Sequence, residues 1–299
     1  MTFDVEVLLR GTSEVVVETV TYDGPESAGW TDADVREVLL SIMRVFGRAD
    51  RDGAEGGEVS LRGLSWIVTD AAPGVAIAIE IPSGAVGAGP FDLPASVMCD
   101  RQWLADRVAD TGRRWTCTDD RVNGTLWWYS ASSTLAYIAV ATAMVTGEAA
   151  DPGVENASCF LRPDGYLGGV RSERVIAVDR LPASLASTFG GVVDALSAVS
   201  GARRQSLWAI ATDSIANRSL DVGAALGDRA LGSEFGAWLV REMASPMPRP
   251  RFVEVGGRTF TQRCSCCLLY LTGGADKCVS CPRRTPADRL RGLEAAARY

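Results

Sequence analysis

Arg121-Val122-Asn123-Gly124-Thr125-Leu126 leads through Trp127-Trp128-Tyr129 into Ser130–Val145, and from Val122 to Gly147 the chain runs 26 residues without a charge. That length matches a membrane span, but Asn123, Thr125, Ser130, Ser132, Ser133, Thr134 and Thr142 make it too polar for lipid. The stretch reads instead as a buried helix, placed over Ser130–Val145 and stopped by Gly147.

Helical patterning continues on both sides. Asp100 is a suitable N-cap and Gly112 a suitable stop for a helix carrying Trp103, Leu104 and Val108. Beyond a glycine-rich stretch around Pro163–Gly169, read as irregular, helices are expected near Ala183–Val199, Gln205–Leu226 and Arg229–Met243. These make a mainly helical middle domain, 96–245. Trp127, Trp128, Trp208 and Trp238 fit its core better than the lining of a ligand pocket.

Pro246-Met247-Pro248-Arg249-Pro250 cannot continue a helix, so a linker opens the C-terminal segment, 246–299. Phe252-Val253-Glu254-Val255 and Arg258-Thr259-Phe260 flank Gly256-Gly257 as a hairpin. At the other end, residues 1–95 read as a small α+β unit. Strands are expected near Phe3–Leu9, Glu14–Tyr22, Leu64–Thr69 and Val75–Ile81, with a helix near Asp32–Phe46. The run Gly84–Gly89 reverses the glycine order of a dinucleotide fingerprint and is read as a loop. The fold class is α+β.

Composition excludes much chemistry. The 299 residues hold no histidine, which removes imidazole bases, Ser-His-Asp triads and His-ligated zinc. Lys277 is the single lysine, so no lysine-closed phosphate loop exists and ATP-driven chemistry is disfavoured. A net charge of −7 argues against general nucleic-acid binding. The charge is uneven: residues 1–58 carry thirteen acids against five arginines, whereas 241–299 carry eleven basic residues against five acids. Asp4 and Glu6 near the start are unlike a secretory signal, so a cytoplasmic location is expected.

Of eight cysteines, Cys99, Cys117 and Cys159 stand singly in apolar surroundings and read as small buried thiols. The other five fall within eighteen positions, and Cys266-Cys267, ten intervening residues, Cys278, two more and Cys281 form one pattern. A C-x2-C turn places two thiolates on one metal, and a loop can return a second pair. Adjacent side chains diverge along an extended backbone, which suits the separated irons of a [2Fe–2S] cluster better than one tetrahedral ion. A zinc knuckle, a disulfide-bonded tail and unligated thiols are the alternatives.

Arg263-Cys264-Ser265-Cys266-Cys267-Leu268-Leu269-Tyr270, Gly273-Gly274 and Cys278-Val279-Ser280-Cys281-Pro282 resemble the C-terminus of FhuF-type ferric-siderophore reductases. Arg121–Leu126 and Arg204-Gln205-Ser206-Leu207-Trp208 are weaker matches, and the resemblance spans about 96–290. It implies a cytoplasmic oxidoreductase in which a [2Fe–2S] centre passes one electron to iron(III) held by a hydroxamate-type siderophore. It also implies that Cys266, Cys267, Cys278 and Cys281 are the ligands. Leu271 departs from the family, which often has arginine there; Cys264 is an extra thiol; and residues 1–95 match nothing in the family.

Cys264 reads as a spare small residue, with substitution as a ligand the alternative. Arg263, Arg283 and Arg284, with Tyr270, form the expected surroundings of the cluster. Their charge should raise its potential and attract an acidic donor such as a ferredoxin, unless they are simply a solvated basic face. With no flavin or nicotinamide fingerprint, electrons are expected from an external donor. Competing readings are an iron–sulfur sensor or scaffold and a siderophore-binding module related to siderophore synthetases; neither DNA-reading nor phosphate-handling side chains accompany them.

Overall fold

The computed structural model describes residues 2–10, 14–23, 65–71, 74–80, 91–162, 165–172, 174–273 and 275–298. The helix expected near Asp32–Phe46 and the Gly84–Gly89 loop lie outside the described residues. The four N-terminal strands fall where the alternation placed them: β1 (Thr2–Arg10), β2 (Glu14–Asp23), β3 (Ser65–Ala71) and β4 (Gly74–Glu80). They form one sheet in the order β2-β1-β4-β3, two antiparallel hairpins joined by a parallel β1–β4 pair in the register Val5 to Val75 and Leu9 to Ile79.

After β5 (Leu93–Pro94) comes α1 (Arg101–Trp115), whose first turn is capped by Asp100 accepting from the Trp103 amide at 2.7 Å. The stop expected at Gly112 is corrected: the helix runs through it to Thr116, which takes the left-handed conformation. Gly112 serves packing instead, since a Cβ there would lie 2.8 Å from Asn123 Nδ2.

The central element is α2 (Asp120–Thr146), which begins at Asp120 rather than Ser130 and ends, as expected, at Gly147. Its polar residues are absorbed locally: Asn123 donates to Cys117 O at 3.0 Å, Thr125 to Arg121 O at 2.7 Å and Thr142 to Ile138 O at 2.9 Å. Such a helix, apolar on nearly every side, belongs in a core, and Trp127 and Trp128 are wholly buried. The pocket-lining alternative for the tryptophans therefore falls away. Trp208 is also buried, and Trp238 packs from the side against the same core.

After α2 come four short strands that were not expected, one of which enters the glycine-rich stretch read as irregular. β6 (Glu148–Ala150) is followed by β7 (Ala157–Leu161), β8 (Leu167–Ser172) and β9 (Val175–Ala177). These give an antiparallel β5-β7-β8 sheet and a β6-β9 pair. Glycines hide the pattern in β8 for a steric reason: a Cβ on Gly168 would lie 2.3 Å from the Phe160 ring.

Helices α3 (Leu181–Ser200), α4 (Arg204–Ala225) and α5 (Arg229–Glu242) match the expected trio closely. The segment Val178–Ser200 is the one described stretch long and apolar enough to cross a membrane, yet Leu181, Leu185, Phe189, Val192, Val193 and Leu196 are fully buried against the other helices. The proline linker is followed by a hairpin of β10 (Phe252–Val255) and β11 (Arg258–Thr261), whose turn residues Gly256 and Gly257 both have positive φ, as a primed two-residue turn demands. A last helix, α6 (Pro286–Ala297), was not anticipated; Thr285 caps it, and Arg258 donates to Ala296 O at 3.0 Å to hold its end against the hairpin.

Candidate metal centre

The cysteine loops leave the hairpin and fold back against α2 and α4. Their anchor is Asp213, a carboxylate on the buried face of α4 with 1% exposure. It accepts from the Cys264 amide at 2.7 Å and the Ser265 amide at 3.1 Å, and its Oδ2 lies 3.5 Å from Arg263 Nε. Burial pushes the Asp213 pKa up, against the opposing pull of these amides and Arg263.

Arg263 is equally buried, its guanidinium 4.8 Å above the Tyr129 ring. From there Nη1 donates to Cys278 Sγ at 3.3 Å and to Cys267 Sγ at 3.9 Å. Burial works against its charge, but the neighbouring Tyr129, Cys267, Cys278 and Asp213 hold the guanidinium in its protonated form.

The four predicted thiols converge as pairs. Cys266 Sγ and Cys281 Sγ stand 3.7 Å apart, and Arg263 Nη1 bridges Cys267 and Cys278. Two thiolates at about 2.3 Å from one tetrahedral ion sit about 3.8 Å apart, so the Cys266–Cys281 spacing is that of two ligands on one metal. Among the described residues no three His, Cys, Asp or Glu side chains gather around a single point suited to one ion. None of the eight cysteines is in a disulfide.

The backbone supports the pairs. Leu268 adopts a left-handed conformation, turning the chain sharply after the adjacent cysteines, and its amide points at Cys266 Sγ at 3.4 Å. Donors converge on Cys267: Cys266 first, then Cys278, the Leu269 amide and Arg263 together push its pKa down. The thiols that donate to it, Cys266 and Cys278, are pushed up correspondingly.

The donor set fits an anionic metal–sulfur group on two counts. Four soft thiolate ligands suit iron–sulfur or zinc chemistry. In addition Arg263 Nη2 is buried without a hydrogen-bond partner, a spare cationic donor beside the sulfurs. By this test the residues fit a thiolate-held metal–sulfur group.

The other expected neighbours divide. Cys264 Sγ faces Arg249 O at 3.7 Å, away from the pairs. Arg284 binds backbone rather than sulfur, donating to Cys278 O at 2.9 Å and to Lys277 O, and so braces the Cys278–Cys281 turn. Arg283 is exposed, with its carbonyl accepting from Lys277 Nζ at 3.2 Å. Tyr270 lies beneath the same lysine, 5.5 Å from Nζ to ring centroid. Arg263 alone of the predicted arginines reaches the sulfurs.

Sequence reasoning missed Asp213, Tyr129 and Trp115. Asp213 had a readable signal, because it is the one carboxylate in the apolar run Leu207–Ile215. Trp115 closes α1 against a small cluster of Val122, Leu126 and Cys267. No protein-family model matches the chain and no curated protein matches it, so the resemblance rests on the quoted motifs.

Proposed function

We propose that the chain is a cytoplasmic ferric-siderophore reductase, a member of the FhuF-type family. Its segment 246–299 holds a [2Fe–2S] group on Cys266, Cys267, Cys278 and Cys281, and its helical domain, 96–245, faces the chelate. The observation that carries this reading is the buried Arg263, held by Asp213, donating to two of four converging thiols with one nitrogen to spare.

When bound, such a group supplies single electrons. The chain's own residues account for the rest. Asp213 fixes the cysteine loop by accepting hydrogen bonds from two backbone amides and orients Arg263. Arg263 and the Leu268 amide donate to sulfur, which favours added negative charge and raises the potential. Cys267 and Cys281 are buried while Cys266 and Cys278 remain partly open, so one side stays near solvent. Lys277 and Arg283 are exposed in that segment and suit an acidic external donor such as a ferredoxin.

The substrate is iron(III) in a hydroxamate-type siderophore. Hard oxygen donors hold iron(III) far more tightly than iron(II), so accepting one electron loosens the metal without breaking any bond in the ligand.

The test is iron, acid-labile sulfide and zinc content of protein purified without oxygen, with visible spectra before and after reduction. About two irons and two sulfides per chain are expected, with bands that bleach on reduction and recover when a ferric trihydroxamate is added. One zinc without sulfide overturns the proposal.

A further inference from the structure

From Val122 to Val145, helix α2 has one exposed residue: Tyr129, 38% open, directly after the wholly enclosed Trp127 and Trp128. Its surroundings account for an aromatic ring at the surface of a core helix. The ring lies 4.8 Å from the Arg263 guanidinium, which is itself buried. One side of Tyr129 therefore meets the cation and the rest of the side chain meets solvent.

Arg263 needs such a contact, because its polar partners do not fix it. Its Nε lies 3.5 Å from Asp213 Oδ2, at the outer limit of hydrogen bonding, and Nη2 has no hydrogen-bond partner. Nη1 alone reaches sulfur, at 3.3 Å from Cys278 and 3.9 Å from Cys267. A planar guanidinium held at one edge can still swing, whereas an aromatic face beneath it restricts that motion.

The same helix offers a comparison about two turns further on. Tyr137 also lies under an arginine, Arg218 at 5.8 Å, but the charged groups around it are Arg218 and Asp221, with no thiol among them. Around Tyr129 they are Arg263, Arg218, Cys267 and Cys278. The two stacks share their chemistry, and only the first adjoins the cysteine loop.

We infer that Tyr129 is a positioning residue: its ring holds the Arg263 guanidinium against Cys267 and Cys278 and keeps solvent from it. The inference rests on the reductase reading and adds one residue to its electron-carrying site. A charge shielded from water acts more strongly on its neighbours, so the influence of Arg263 on a bound metal–sulfur group depends on the ring.

Two readouts on the full chain, purified without oxygen and assayed for iron and sulfide, test this. In a redox titration Tyr129→Leu should lower the midpoint potential in the same direction as Arg263→Gln, and Tyr129→Phe should keep the parent value. The double variant Tyr129→Leu/Arg263→Gln should fall no further than Arg263→Gln alone, and Tyr137→Leu should leave the potential unchanged. In chemical denaturation the losses from Tyr129→Leu and Arg263→Gln should not add. The double variant should keep an unfolding constant about tenfold more favourable than the two single losses imply, as for a desolvated cation over an aromatic ring.

A potential that is unchanged or raised in Tyr129→Leu, the latter being the effect of admitting water alone, would overturn the inference. So would single losses that add, or a fall in Tyr129→Phe equal to that in Tyr129→Leu, which would assign the effect to the hydroxyl. Protein with two irons and two sulfides but additive losses rejects the role of Tyr129 alone. Protein without sulfide that still shows the non-additivity rejects the reductase reading and leaves the Tyr129–Arg263 stack standing.

Discussion

Asp213 and Arg263, fifty residues apart in sequence, form a buried pair that joins the helical domain to the cysteine loop. The carboxylate also takes two loop amides, so one side chain on α4 sets both the position of the loop and the direction of the cation that faces the sulfurs. Removing one partner of a buried pair strands the other in low dielectric. Asp213→Asn should therefore cost about 3–5 kcal/mol in chemical denaturation. Arg263→Gln, which keeps a donor but not the charge, should lower the midpoint potential of the bound centre in a redox titration. An unchanged potential would remove Arg263 from its assigned role.

Serine at Cys266, Cys267, Cys278 or Cys281 should each reduce bound iron and sulfide, because Cys266 pairs with Cys281 while Cys267 and Cys278 share the Arg263 guanidinium. Cys264→Ser should retain both. Its sulfur faces Arg249 O, whereas its amide, which the substitution preserves, makes the bond to Asp213. Metal analysis of the five variants separates ligand from neighbour.

The four N-terminal strands, the helical trio α3–α5 and the glycine hairpin were legible because each announces itself locally, by alternation, helical periodicity or a turn residue. The thiol pattern was legible because its spacing is short-range. What escaped was set by contacts between distant segments. Gly112 looked like a helix stop but makes room for Asn123, and Gly168 interrupted a strand pattern to make room for Phe160. Asp213 and Trp115 belong to the centre only because α4 and the end of α1 come to lie beside a loop far along the chain. Arg263, Arg283 and Arg284 were indistinguishable in sequence, yet only the first is turned inward.

Of the three isolated cysteines read as buried thiols, only Cys159 is buried while Cys99 and Cys117 are partly exposed, so Cys159 should be the chemically quiet one. Burial, with a smaller contribution from Asp92, pushes the Cys159 pKa up to about 12, and burial also raises that of Cys99. At pH 8 the thiolate fraction of Cys159 is then about one in ten thousand, and thiolate is the reacting form. Mass spectrometry of folded protein treated with iodoacetamide should find Cys159 unmodified, and ready modification there would mean that its surroundings open to solvent.

Helix contacts should be intolerant of a single methyl group. A Cβ on Gly124 would lie 2.5 Å from Ser200 Cβ, where α2 crosses the end of α3, and one on Gly232 would lie 2.6 Å from Ser219 O, where α5 meets α4. The first contact involves a side chain and the second backbone, which moves less readily. Gly124→Ala should cost about 1–3 kcal/mol, typical of overpacking, and Gly232→Ala at least as much. Thermal denaturation checks both, and a neutral Gly232→Ala would mean that α4 and α5 separate easily.

The start of α2 carries a pH-dependent cap. Asp119 accepts from the Arg121 amide at 2.9 Å and the Val122 amide at 3.4 Å, and pairs with the Arg121 guanidinium at 3.0 Å. The Arg121 side chain is the main cause holding its carboxyl below the ordinary value of 3.8. A carboxylate with a lowered pKa in the folded state stabilises fully above its unfolded value, and that contribution disappears as pH falls through the lowered one. Asp119→Ala should therefore lower Tm at pH 6, and the gap from the parent protein should narrow progressively below about pH 3.8. A gap that stays constant down to pH 2 would assign the whole effect to helix propensity and none to the ionised cap.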